Sequence, residues 1–145
     1  MRNETSIDID APPERVWAVM ADVERWPEWT PTMNSVRRLD GGDLRVGSRA
    51  KIKQPKLMGV TWQVTSLQPG RSFVWQNRSP GMLSVGGHEI EPLGGGSRVR
   101  LWVEQTGPLS PVFGFFTRGM TQRYIRQEAE GLKRRSETGH EGAGP

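Results

Sequence analysis

The stretch LSPVFGFFTRGMTQRYIRQEAEGLKRR, residues 109–135, decides how this chain is read. It is the longest run with a single periodicity, and it follows a chain otherwise made of short strand-like segments. Gly107-Pro108-Leu109-Ser110-Pro111 punctuates its start, with Ser110 placed as N-cap and Pro111 at the first helical position. Val112, Phe113, Phe116, Met120 and Tyr124 then recur three or four residues apart, which predicts a helix with an aromatic-and-methionine stripe. Ile125, Ala129 and Leu132 form a second stripe, roughly a third of a turn away at about 3.6 residues per turn. Gly119, a weak helix former, lies near the changeover. In this reading the aliphatic half seals a core and the aromatic half closes over a cavity. Plain core packing by both stripes is the alternative.

Upstream, Ser6-Ile7-Asp8-Ile9-Asp10 alternates as a first strand and Ala11-Pro12-Pro13 stops it. Pro13 opens a short helix whose apolar face is Val16, Trp17, Val19 and Met20, and Asp22 is placed as cap of a second one through Trp26. Trp29-Thr30-Pro31-Thr32-Met33 then runs out as a loop. Six strands are expected next: Ser35–Leu39, Arg49–Gln54, Val60–Leu67, Ser72–Asn77, Met82–Glu91 and Arg98–Thr106. Alternation puts Trp62, Trp75, His88 and Ile90 on apolar faces, and Trp102 on an outer one. Short turns between the strands imply an antiparallel meander, and the last helix is the only element long enough to cover its apolar face.

The chain has 145 residues, suited to one domain with a real core. Mean hydropathy is low at −0.62, but six tryptophans and four phenylalanines supply large apolar groups. The net charge of +4 invites a nucleic-acid partner. The basic residues are scattered, however, and on the last helix they interleave with Glu128, Glu130 and Glu137. That is a solvated face rather than a phosphate track, so nucleic acid is not the expected partner; a module binding it through the basic surface is the weakest of three readings. There is no cysteine, hence no disulfide or thiol chemistry. Neither a secretory leader nor a membrane span is expected, which suggests a soluble cytoplasmic protein. A homodimer is compatible with the sequence.

Four stretches, taken together and in order, carry a resemblance over nearly all of residues 7–137. They are Ile9-Asp10-Ala11-Pro12-Pro13-Glu14-Arg15-Val16-Trp17, Asp22-Val23-Glu24-Arg25-Trp26-Pro27-Glu28-Trp29, Glu91-Pro92-Leu93-Gly94-Gly95-Gly96-Ser97-Arg98-Val99 and Gly131-Leu132-Lys133-Arg134-Arg135. The chain resembles the START-like helix-grip superfamily (SRPBCC), in its polyketide cyclase/dehydrase and lipid-transport-like branch. The resemblance implies an α+β helix-grip fold: a curved antiparallel sheet of about seven strands around a long C-terminal helix, with two short helices after strand 1. It implies one domain over residues 1–136, and residues 137–145 read as a disordered tail. It also implies an internal cavity for a small hydrophobic ligand, lipid-like or aromatic polyketide-like, and it carries no universal catalytic residue.

Gly94-Gly95-Gly96 sits between strands and is no nucleotide loop; Gly81–Gly86 has the wrong spacing for a nucleophile elbow. With only His88 and His140, no metal site or cofactor is expected. The expected ligand-binding residues are Trp26, Trp29, Met33, Trp62, Trp75, His88, Ile90, Phe113, Phe116, Met120 and Tyr124. His88 and Tyr124 are the candidates for proton transfer if the protein is instead a cyclase or dehydratase. Packing in the pocket wall is the simpler role for both. Glu128 lies between the two stripes; a helix-surface ion pair is expected, with entry into the cavity as the alternative. The phase of Arg49 and Lys51 stays open.

Overall fold

The computed structural model describes residues 2–55 and 59–143, with side chains described throughout these except at positions 113, 114, 116–118 and 139–143. Seven strands form one antiparallel sheet: β1 (Arg2–Ile9), β2 (Ser35–Arg38), β3 (Arg49–Lys53), β4 (Val60–Gln68), β5 (Ser72–Ser79), β6 (Met82–Leu93) and β7 (Gly96–Thr106). Their spatial order is β1-β7-β6-β5-β4-β3-β2, a meander closed at one edge by the first strand. The strand β1 starts at Arg2, earlier than alternation alone suggests, because it pairs with β7 from Arg2↔Glu104 to Ile9↔Ser97. Likewise β6 and β7 run to Leu93↔Gly96, leaving Gly94-Gly95 as the two-residue turn, with Gly94 at a φ of 61°. A register shift between Val64 and Ser66 puts a bulge in β4, a device that bends a sheet.

Two adjacent glycines let the sheet carry a tryptophan on each face. Gly86 pairs with Trp75, and a Cβ on it would lie 3.2 Å from the Trp75 ring nitrogen. Gly87 pairs with Trp102, and a Cβ there would lie 2.0 Å from that indole. Trp102 is accordingly on the outer face, donating its ring N–H to Glu89 (3.0 Å) beneath the Arg2 guanidinium.

The helix α1 (Pro13–Ala21) begins at its proline and buries Val16 and Met20. A 3-10 helix, Val23–Glu28, follows. Asp22 does not cap it through its side chain; the carboxylate pairs instead with Arg25 at 3.2 Å. The long helix α2 is Ser110–Ala143. Ser110 is its first residue rather than its cap, and its hydroxyl donates back to the Gly107 carbonyl at 2.9 Å. Ile125, Ala129 and Leu132 are buried against the core, as the aliphatic stripe requires. Several polar anchors set the stretch from Gln122 to Glu137 in place. Gln122 donates to the Glu4 carbonyl, Lys133 to the Asp8 carbonyl, and Glu137 accepts from the Asp10 N–H at 2.7 Å. Glu137, the first residue of the segment read as a tail, is thus helical and docked on the end of β1.

Candidate functional site

The helix α2 packs on β1, β7 and α1 across the inner face of the sheet, and from Gln122 onward hydrogen bonds tie it to β1. Between helix and sheet lies a cavity of about 360 Å³. Its apolar wall is Trp26, Trp62 and Trp75 with Met33, Ile52, Leu101 and Val103, and α2 contributes Met120, Tyr124, Ile125 and Glu128. The polar groups Asn77, Ser84, His88 and Gln105 come from the strands. Alternation explains the set: Ser84, Gly86 and His88 share one face of β6, and β5 presents Trp75 beside them.

Trp26 organises the floor. It is 2% exposed and donates its ring N–H to the Met20 carbonyl at 3.0 Å, which satisfies its one polar side-chain atom. Its ring centroid lies 5.3 Å from that of Trp75, 5.4 Å from His88 and 5.5 Å from Trp29. His88 is stacked on Phe73 with ring centroids 4.1 Å apart. Its Nδ1 lies 3.2 Å from the Phe73 carbonyl. A carbonyl only accepts, so Nδ1 carries the proton and Nε2 is left as an acceptor. Burial pulls the His88 pKa down to about 4, although the Phe73 carbonyl favours the charged form, so the ring is neutral at pH 7.

Glu128 reaches the cavity rather than a surface ion pair. Its hydrogen bond among the described residues comes from the Thr32 hydroxyl, at 3.4 Å, and Thr32 in turn is 3.0 Å from the Thr30 hydroxyl. Desolvation raises the Glu128 pKa to about 7 against the opposing effect of that hydrogen bond. Met120, Tyr124 and Glu128 are four residues apart, so the carboxyl continues the line of the cavity wall, although a charge on a helix reads first as solvated.

Of the sequence-predicted residues, Trp26, Met33, Trp62, Trp75, His88, Met120 and Tyr124 come together around the cavity. Trp29 does not. It packs behind Trp26, in the loop crossed by Gly131 of α2. Ile90 also falls outside, 5% exposed in the core beyond His88, because that end of the sheet is filled by the short helices. The side chains of Phe113 and Phe116 lie outside the described residues. Arg49 and Lys51 point outward, since Ala50 and Ile52 take the inner face of β3.

A second hollow, of about 590 Å³, lies on the outer face of the sheet. Its charges are largely spent on one another: Arg98 pairs with Asp8 at 2.8 Å and Arg100 with Glu89 at 2.7 Å. Among the described residues no three carboxylates or imidazoles converge as metal ligands, and no helix is long and apolar enough to cross a membrane.

Solved structures share this architecture. TTHA0849 of Thermus thermophilus superposes with a TM-score of 0.74 at 19% identity, covering 94% of this chain and 97% of that one. The Aha1 dimer of Colwellia psychrerythraea gives 0.70 at 20% identity, covering 96% and 98%. The di-domain ARO/CYC BexL of the BE-7585A biosynthetic pathway gives 0.73 at 21% identity, covering 92% of this chain and 45% of that one. At these identities the likeness concerns the fold. No protein of curated function matches the sequence. The family model described as polyketide cyclase / dehydrase and lipid transport matches residues 2–137. With a helix gripped by a seven-stranded sheet and a match over nearly its whole length, the chain belongs to the polyketide cyclase/dehydrase and lipid transport family.

Proposed function

We propose that this protein binds a small hydrophobic molecule, lipid-like or aromatic polyketide-like, in the cavity between the sheet and α2. One observation carries the reading: a cavity of about 360 Å³ walled chiefly by Trp26, Trp62, Trp75, Met33 and Met120, with a few polar groups among them. Aromatic and thioether walls suit a flat or flexible apolar ligand. Burying ~200 Å² of apolar ligand surface is worth about 5 kcal/mol before the costs of association. Native mass spectrometry of protein purified from its own host tests this. The expected result is a co-purified small molecule, released by organic solvent. A protein that is empty and also fails to bind apolar dyes overturns the reading.

A second reading is a cyclase- or dehydratase-type enzyme using the same cavity. It draws on three proton-handling groups in one apolar site: neutral His88 with Nε2 as acceptor, Glu128 sharing its proton near pH 7, and the Tyr124 hydroxyl. The fold shared with the ARO/CYC protein supports it. Cyclisable ketides should then turn over. Unchanged affinity and no turnover in the wild type, His88→Ala and Tyr124→Phe removes this reading and leaves the first.

A further inference from the structure

We infer that the cavity selects apolar ligands carrying a protonated amine, with the Glu128 carboxylate as counter-charge and the indoles of Trp26, Trp62 and Trp75 as an aromatic wall. This rests on the ligand-binding reading above and adds a ligand class to it.

The charge inventory is the first support. Among the described residues that line the cavity, Glu128 is the sole carboxyl, and no lysine or arginine accompanies it. The other titratable groups facing the space are His88 on β6 and Tyr124 on α2. Neither brings a positive charge at neutral pH, since desolvation keeps the imidazole uncharged. A carboxylate in such a place is costly unless a cation or strong donors meet it. Among the described residues the protein supplies it one long hydrogen bond, from Thr32 to Oε1. The Thr32 hydroxyl can donate to Glu128 because Thr30, 3.0 Å away, can donate to Thr32 in turn.

Geometry of the walls is the second. Trp26 and Trp75 have ring centroids 5.3 Å apart, and Trp62 and Trp75 5.8 Å apart. The rings pack on one another as a single aromatic cluster, and all three line the same cavity. Indole faces attract ammonium groups, and several together form the cage used for cationic ligands. The unprotonated His88 Nε2 adds a second acceptor for an N–H. A ligand carboxylate would meet the opposite situation: a like charge at Glu128, an accepting imidazole nitrogen, and no guanidinium or ammonium to pair with.

The test is a matched set of probes with one apolar body: naphthyl-ethylamine, naphthyl-ethanol and naphthyl-acetic acid. Calorimetry would measure their affinity for the full-length protein at mildly alkaline pH, where the carboxyl is ionised and the amine still protonated. The amine should bind about tenfold or more tighter than the alcohol, the range of a charge-assisted hydrogen bond, and the acid weakest of the three. Glu128→Gln should bring the amine to the level of the alcohol. An acid that binds as tightly as the amine overturns the inference. So does an amine-to-alcohol ratio unchanged in Glu128→Gln. Both leave the hydrophobic-ligand reading standing. Failure of all three probes to bind overturns both together. The wild-type series alone decides the ligand preference should Glu128→Gln fail to fold.

Discussion

His88 and Glu128 face the same cavity and respond to burial in opposite directions. Glu128 holds its proton to about pH 7 in the folded chain, against an ordinary value of 4.5. The folded state therefore binds more protons than the unfolded one between those values, so stability falls as pH rises through that window. His88 is the reverse. Its pKa drops from an ordinary 6.5 to about 4, so the unfolded state binds the extra proton, and stability falls as pH drops from 6.5 towards 4. The two effects offset one another between pH 4.5 and 6.5. Urea unfolding as a function of pH should show it. Glu128→Gln should remove the loss on the alkaline side and His88→Gln the loss on the acid side. Each would change the slope by at most about 1.4 kcal/mol per pH unit. Identical pH profiles in wild type and Glu128→Gln would mean that the carboxyl is not desolvated.

At the scale of the element, α2 contains two glycines with opposite reasons. A Cβ on Gly131 would lie 2.0 Å from the Trp29 carbonyl oxygen, a backbone atom that cannot swing aside. A Cβ on Gly119 would meet nothing within 4 Å among the described residues. Alanine is the better helix former by about 1 kcal/mol. Gly119→Ala should therefore stabilise the protein by up to about 1 kcal/mol, whereas Gly131→Ala should destabilise it by ~3 kcal/mol or more. Denaturant midpoints of the two variants check this, and a neutral Gly131→Ala would refute the close helix–loop approach. That approach holds the tryptophan-bearing loop against the helix and so sets one end of the cavity. Glycine in a helix reads from sequence only as a weakness. Its purpose at 131 depends on a loop about a hundred residues earlier in the chain.

Across the whole molecule, the cavity follows from a mismatch. The sheet presents a long inner face, while α2 is anchored from Gln122 onward by Ile125, Ala129, Leu132 and the polar ties to β1. Met120 and Tyr124 face the gap left between helix and sheet. Ser84 lies in that gap on β6, buried and lining the cavity. Ser84→Phe should fill it. Ligand affinity should fall about tenfold or more, through loss of the apolar contact area it displaces, with the melting temperature unchanged or raised. A filled variant that still binds would place the ligand elsewhere.

Alternation and helical periodicity act over a few residues. They were enough to determine from sequence the seven strands, the inner and outer faces of β6 and β7, the short helices after β1 and the amphipathic C-terminal helix. They also put Trp62, Trp75, His88, Met120 and Tyr124 on faces that meet at the cavity. What they do not encode is how one element sits on another. Trp29 and Ile90 carry the same local signals as the cavity residues, yet fall behind the wall because the Gly131 approach and the short helices fill that end. Glu128 carries the signals of a surface charge, yet the anchoring of α2 turns it inward, next to Thr32. Desolvation is a property of the assembled walls rather than of any residue, so the protonation of Glu128 and the neutrality of His88 were decided only by the tertiary structure.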